Sequence, residues 1–264
     1  MLNGKWRGVT LIELLVVLMI LSLILTAAVK TWDVTLERSR FEQTRQKLEA
    51  LTKAIVGDPD YLVNGERVDF GYIGDMGSLP RTLADLAVAP LVAPPESSRW
   101  RGPYVKGVFS QSPDAYRIDG WGDTIVYNSD SMFVRSYGGR LVDRTKWITR
   151  TFGYTKAEVL RDSVAGRVVD IRGMAPPHDT IRIRIAVQLE YPREGKPHRD
   201  SITPGSEGQF WFRDIPQGIQ LLRAVYWRSI MPPIAETTQK YITVLPRVGA
   251  RDIELRMSVD WSSP

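Results

Sequence analysis

The sequence predicts an α+β chain: a long N-terminal transmembrane and amphipathic helix packed on a small antiparallel sheet, followed by a C-terminal all-β sandwich. Three patterns predict it. An apolar run from Val9 to Val29 passes without a proline into a charged, helically periodic segment that ends at Val56. Short strand signals punctuated by glycine come next. From residue 164 onward, apolar and polar residues alternate with a period of two, the mark of half-buried strands.

The apolar run reads VTLIELLVVLMILSLILTAAV, with Glu13 as its single charge. About 21 residues at 1.5 Å each are enough to span a hydrocarbon core of about 30 Å. Lys5 and Arg7 precede the run, so the positive-inside rule keeps the N-terminus in the cytoplasm and sends the remainder across the membrane. The run is longer than the apolar stretch of a typical secretory signal. A carboxylate one turn into such a span is costly, and residues of this kind usually serve a function. Beyond Lys30, Val34, Phe41, Leu48, Leu51 and Ile55 recur near the helical period. Between them lie Glu37, Arg38, Arg40, Glu42, Arg45, Lys47 and Glu49, a solvated face. Gly57-Asp58-Pro59 ends the run, which predicts one helix of about 70 Å.

A first globular region follows. Leu79 to Leu86 predicts a short helix, and Ile125 to Asn128, after a glycine turn, a short strand. Thr151 to Asp162 reads as a helical or irregular connector. In the last third, Ile181, Ile183, Ile185, Val187 and Leu189 alternate with polar neighbours, as do Ile253, Leu255 and Met257. Residues 165–170, 209–212, 221–227 and 241–245 are further strand candidates, separated by glycines and prolines. The organisation expected is a leader at 1–8, the helix at 9–56 with its membrane part at 9–29, a globular domain at 57–150, a linker at 151–163 and the sandwich at 164–260.

The string Gly8-Val9-Thr10-Leu11-Ile12-Glu13-Leu14-Leu15 resembles the cleavage and methylation motif shared by type IV pilins and the pseudopilins of type II secretion. The resemblance implies that a prepilin peptidase cuts after Gly8 and methylates the new N-terminus at Val9. It also implies that Glu13, the fifth mature residue, acts in assembly. The family usually has phenylalanine where this chain has Val9. Glu13 lies one helical turn from Val9. A carboxylate on one subunit therefore meets an ammonium on its neighbour only at one axial stagger, and the pairing offsets the desolvation of both.

Further on, Trp100-Arg101-Gly102-Pro103-Tyr104, Asp119-Gly120-Trp121-Gly122 with Tyr127, and Val134 to Gly138 resemble, in order, the core of a major pseudopilin. That family binds calcium through acidic residues after its last strand. The corresponding stretch here, Ser136 to Arg140, has no acid before Asp143. Asp119, Asp123 and Asp130, with Asn128, remain candidate calcium ligands, against the alternative that they serve turns and strand ends. The C-terminal motifs Gly166 to Asp170, Gly208 to Gly218 and Leu222 to Val225 resemble carboxypeptidase regulatory-like domains, non-catalytic sandwiches that imply interaction or spacing. Trp211, Tyr226 and Trp227 are a candidate carbohydrate- or protein-binding face.

The remaining features narrow the function classes. There are no cysteines, so disulfides and thiolate chemistry are excluded. Thirty-five Lys and Arg against 30 Asp and Glu leave a small excess without a long basic run, which predicts no nucleic-acid partner. Histidine occurs only at His178 and His198, without metal spacing, and no nucleophile elbow, phosphate loop or zinc-binding motif is present. The expected protein is not an enzyme and has no cofactor other than the candidate calcium. It is expected in the bacterial inner membrane, single-pass, with periplasmic domains. Its expected role is a subunit of a type II secretion-like pseudopilus. The partners implied are the prepilin peptidase, other pseudopilin or pilin subunits and an inner-membrane assembly platform. The alternatives are a minor type IV pilin in adhesion or DNA uptake, and a membrane-anchored periplasmic binding protein.

Overall fold

The computed structural model describes residues 11–90, 99–105, 114–176, 183–228 and 234–261. Helix α1, Leu11–Val56, runs for 46 residues. Every described side chain from Leu11 to Ser39 is exposed. Contact with the rest of the chain starts at Glu37, which accepts from Trp121 Nε1 at 3.3 Å, and becomes continuous burial near Leu48. Leu48, Leu51 and Ile55 are spaced three and four apart, so they share one face, and all three are buried. Val34 and Phe41, which continue the same sequence stripe, stay exposed.

The buried face of α1 packs on an antiparallel meander of β3 (Val126–Asn128), β4 (Phe133–Ser136) and β5 (Ile148–Thr151). Before it come the two-residue strands β1 (Leu62–Val63) and β2 (Glu66–Arg67) and helix α2 (Gly71–Met76). Val134, Phe152, Ile73, Met76 and Leu86 complete this core. The expected short helix near Leu79 is a 3-10 turn, Leu83–Leu86, capped by Thr82 and Asp85. Strand β5 is not legible in the sequence, because only Ile148 of its four residues is even half-buried and no alternation results. Between residues 151 and 163 the chain is ordered. Phe152 and Val159 are buried, and α3 (Lys156–Leu160) carries a capping box between Thr155 and Glu158.

The α+β class and the sandwich stand. One sheet has the order β11-β10-β7-β8 and the other β12-β6-β9. The strands are β6 (Asp162–Val169), β7 (Ile183–Arg193), β8 (Lys196–Ile202), β9 (Gln209–Ile215), β10 (Gly218–Arg228), β11 (Ile234–Val244) and β12 (Ala250–Arg256). Strands β6 and β12 are parallel, and the other pairs are antiparallel. The alternating residues face inward as their period requires: Ile185, Val187, Leu189, Ile253, Leu255 and Met257 are all buried. Ile181 lies outside the described residues. Strand β8, KPHRDSI, is not legible in the sequence because its composition is charged and includes a proline; it pairs with β7 on one side only, where such residues suit an edge.

The two modules meet tightly. The β7–β8 turn sets Gly195 N–H on Met76 O at 2.7 Å, and Arg99 N–H on Gly195 O at 2.9 Å. From the β9–β10 turn, Gln217 Nε2 donates to Val56 O at 2.9 Å and to Phe70 O at 3.3 Å. Arg67 Nη2 donates to the same Val56 carbonyl at 2.6 Å. A carbonyl in the last turn of a helix lacks an intrahelical partner. Here each module supplies one. Gly77, at φ 63°, lets the backbone of Pro192 approach so closely that a Cβ would lie 2.0 Å from the Pro192 oxygen. Gly77→Ala is therefore expected to cost about 2–4 kcal/mol from backbone strain and clash together. In limited proteolysis of the variant, cleavage should move into residues 153–162 while the sandwich itself stays resistant.

At the same junction, Asp162 Oδ2 is buried with no hydrogen-bond partner among the described residues. Burial pushes its carboxyl up to about 6, with Glu158 adding to the rise and an Arg247 N–H and the Arg251 charge opposing it. The unfolded chain ionises this group near about 3.9. The folded state therefore binds the proton more tightly, so the contribution of this group to stability is greatest below about pH 4 and falls away as pH rises through 6. Asp162→Asn should abolish that fall. At pH 8 it should be the more stable protein by about 1 kcal/mol or less, given partial solvent screening, as read from urea midpoints at pH 4 and pH 8.

Candidate functional site

The candidate site is the exposed length of α1. Its most apolar window has a mean hydropathy of 2.7 and none of that window is buried within the chain. Among the described residues it is the one helix long and apolar enough to cross a membrane. Polar side chains within it turn inward on the backbone: Ser22 Oγ donates to Met19 O at 2.8 Å and Thr26 Oγ1 to Ser22 O at 2.7 Å. A membrane-spanning helix must satisfy its polar groups in this local way. Glu13 lies in the first described turn, on the exposed rod. Gly8 and Val9, the expected cleavage and methylation positions, lie outside the described residues.

Beyond Lys30 the helix is still apolar, on two sides. At about 100° per residue, Val34 and Phe41 fall on the side that becomes the buried face at Leu48. Trp32 and Leu36 fall opposite. Trp32 is 74% exposed and Val34 70%; Leu36 and Phe41 are exposed as well. Phe41 and Leu48 also line a groove of about 310 Å³ with Trp147 and Ile148, between α1 and β5. Ion pairs along this stretch, Arg40–Glu37 and Arg45–Glu42, are both 3.9 Å and solvent-exposed, so they contribute little.

Residues 7–29 match the family described as the prokaryotic N-terminal methylation motif. This stretch is a prepilin-type methylation segment. Together with the apolar helix it fits a single-pass membrane anchor. No curated protein matches the chain. Among solved structures, one similar chain is a Pseudomonas aeruginosa protein described as a proposed carbohydrate binder, whose crystal structure extends to 2.61 Å resolution. It is 15% identical, the alignment covers 39% of this chain and 90% of that one, and the TM-score is 0.24, too low to bear on fold or ligand.

The candidate calcium ligands are not brought together. Among the described residues no group of three or more Asp, Glu or His side chains is placed to hold a metal ion. Asp119 is buried; its Oδ1 accepts from the N–H groups of Trp121 and Asp123, both at 2.9 Å, and its Oδ2 accepts from Ser136 Oγ. Asp123 itself is exposed, and Asp130 pairs with Lys156 at 3.2 Å. Asn128 Oδ1 accepts from Ser131 N–H. These are the turn and strand-end roles weighed against calcium. Lys47 donates to Ala115 O and Ile118 O at 3.0 and 2.8 Å; burial holds its ammonium below the ordinary value while Asp119 pulls it back.

The aromatic trio does not form one face. Tyr226 is buried against Trp261, Trp227 sits on the outside of the four-stranded sheet, and Trp211 lies on the other sheet beneath the Arg213 guanidinium. Tyr226 was readable as inward, since it shares the phase of Leu222 and Ala224. His198 lies 3.1 Å from Asp200, which also accepts from Tyr191; His178 is outside the described residues. Gln217 and Gly77 carried no signal beyond that of turn residues, because the partners of the Gln217 side chain and the backbone that Gly77 admits are more than a hundred residues away. Replacing Asp119 by alanine strips two turn N–H groups and Ser136 of their acceptor and removes a counter-charge from Lys47. The expected loss is about 2–4 kcal/mol in the urea unfolding of the chain, the same with and without added calcium.

Proposed function

We propose that the protein is a fibre subunit of the pseudopilin kind: cut after Gly8, N-methylated at Val9, and assembled through α1 into a short periplasmic fibre that supports protein export. In this reading the prepilin peptidase, sister subunits and an inner-membrane assembly platform are its partners. The chain then divides into the leader, the helix, the globular domain at 57–150 and a sandwich at 164–260, with the segment between them acting as an ordered joint. The sandwich is carried on the fibre surface, and its bulk favours a minor or tip position. The protein has a structural role and no catalytic one.

One observation carries the assembly reading. A plain anchor needs apolar surface only within the bilayer, yet Trp32, Val34, Leu36 and Phe41 lie past Lys30 and are exposed on opposite sides of the helix. Exposed apolar surface of this kind marks contact with other molecules. Parallel helices of sister subunits would cover both sides. Glu13 would then meet the freed ammonium at Val9 of the neighbour, each compensating the desolvation of the other.

The test uses the chain in its own bacterium. The mature protein should begin at Val9 and carry an N-methyl group by mass spectrometry. The chain has no cysteine, so Leu36→Cys gives a site-specific crosslink between neighbouring helices. With Glu13→Ala in the same background, processing should persist while crosslinked dimers and export both fall about tenfold, the cost of about 1.4 kcal/mol or more in register energy. Crosslinking and export at normal levels in that variant would overturn the assembly reading. Normal processing with no crosslink in either background would favour a lone anchor.

A further inference from the structure

Where the sandwich meets α2, the two modules enclose a pocket of about 330 Å³, at the small end of the range for small-molecule sites. Neither module forms it alone. Asp75, Arg99, Arg101 and Tyr104 come from the first; Ile219 of β10 and Tyr241 of β11 come from the second. We propose that this pocket binds one neutral pyranose ring of a glycan.

The two walls differ in chemistry. One is apolar: Tyr241 sits on the strand beside β10, opposite Leu221 in register, with its ring 71% exposed and Ile219 exposed near it. An exposed aromatic ring is a stacking platform for the C–H face of a sugar. The other wall is polar and pre-set. Asp75 Oδ2 accepts from Tyr104 OH at 2.8 Å, and Oδ1 lies 3.8 Å from Arg101 Nε. Burial raises the carboxyl of Asp75, while Tyr104, Arg101 and Arg99 oppose the rise. A carboxylate held this way keeps capacity to accept from a ligand hydroxyl. Arg99 lines the same wall, and its guanidinium adds donors for a ligand oxygen. Arg99 is itself positioned from the sandwich side, through its N–H on Gly195 O.

The charge balance selects the ligand class. Asp69 also lines the pocket, its oxygens occupied by the N–H groups of Asp58 and Gly71. Two carboxylates face two guanidiniums, so the formal charge is zero. A phosphate or uronate needs an excess of cations that the described lining residues do not supply, whereas a ring of hydroxyls needs donors and acceptors side by side, which Arg and Asp provide. The pocket is remote from the exposed part of α1, so its ligand can be tested whether or not the chain assembles.

The experiment uses the full chain in a detergent without sugar headgroups. Neutral oligosaccharides (cello-, xylo-, malto- and chitohexaose) are titrated by calorimetry and saturation-transfer NMR, beside oligogalacturonate and inorganic phosphate. At least one neutral sugar should bind. Tyr241→Ala should weaken it by about tenfold or more. Trp211→Ala, at a residue that is also exposed but on the other sheet, should leave it unchanged and serves as the control for surface aromatics. Circular dichroism checks that both variants are folded. The proposal is overturned if no neutral sugar binds, if binding is unaffected by Tyr241→Ala, if it is lost in Trp211→Ala, or if only the anionic ligands bind.

Discussion

A helix whose first forty or so ångströms are exposed along their whole described length imposes one requirement on everything else: something must cover it. Each Leu, Ile or Val left bare in water forgoes about 1.5–3 kcal/mol of burial. From Leu11 to Val29 the apolar side chains occupy every side of the helix, so no single groove of a partner can satisfy them. A bilayer can, and so can a bundle of like helices. The backbone is indifferent to which, because its hydrogen bonds close within the helix, and Ser22 and Thr26 return their hydroxyls to it. The segment past Lys30 breaks the tie. It lies beyond the reach of the membrane core yet keeps Trp32, Val34, Leu36 and Phe41 exposed; in the proposed fibre, neighbouring helices cover them.

The far end of the same helix is treated in the opposite way. There the Val56 carbonyl receives donors from Arg67 and Gln217, and Gly57 follows with its N–H on Lys53 O. Lys53 also holds Asp58 at 2.8 Å; that ion pair depresses the carboxyl and raises the ammonium. Because Gln217 belongs to the sandwich, the second module is coupled to the helix end itself. Contacts from Gly195 to Met76, from Gln217 N–H to Val159 O, and from Arg247 to Glu158 and Gly153 add points of attachment on different elements. Several separated attachments restrain rotation where one would act as a pivot. In a fibre built on α1, the sandwich would take a position dictated by the helix and not by a tether.

Much of this architecture was readable from the residues. Periodicity placed α1 to its last residue, because Gly57 and Pro59 interrupt it and no proline does so earlier. Strict alternation placed β7 and β12, whose inward residues bury as their phase demands. Legibility failed where a strand carries surface composition and where partners are distant in sequence. Strand β8 has a charged edge composition, β5 is nearly all exposed, and the joint rests on a glycine and a glutamine whose partners lie in the other module. Asp119, Asp123 and Asp130 illustrate the limit differently. Their spacing suits turns and is compatible with metal ligation, and it does not reveal that Ser136 and Lys156 are the partners of Asp119 and Asp130. The pocket between modules left no trace in either module's own pattern, since neither holds both walls.

Glu13 gains its meaning from the uniformity of its surroundings. A rod of Leu, Ile and Val packs nearly as well against its neighbour after sliding by one turn, because dispersion and burial depend on area and change little with a register shift among similar side chains. Apolar packing therefore supplies cohesion without specifying stagger. A charge pair behaves otherwise. At an effective dielectric of about 20, opposite charges at 4 Å attract by about 4 kcal/mol, and a slip of one 5.4 Å turn reduces this to about 2 kcal/mol. In the proposed fibre the difference, about thirtyfold in population, is applied again at every subunit. One acid in an otherwise featureless span is then sufficient to select a single stagger along the fibre, and a second charged pair would add desolvation cost without adding information.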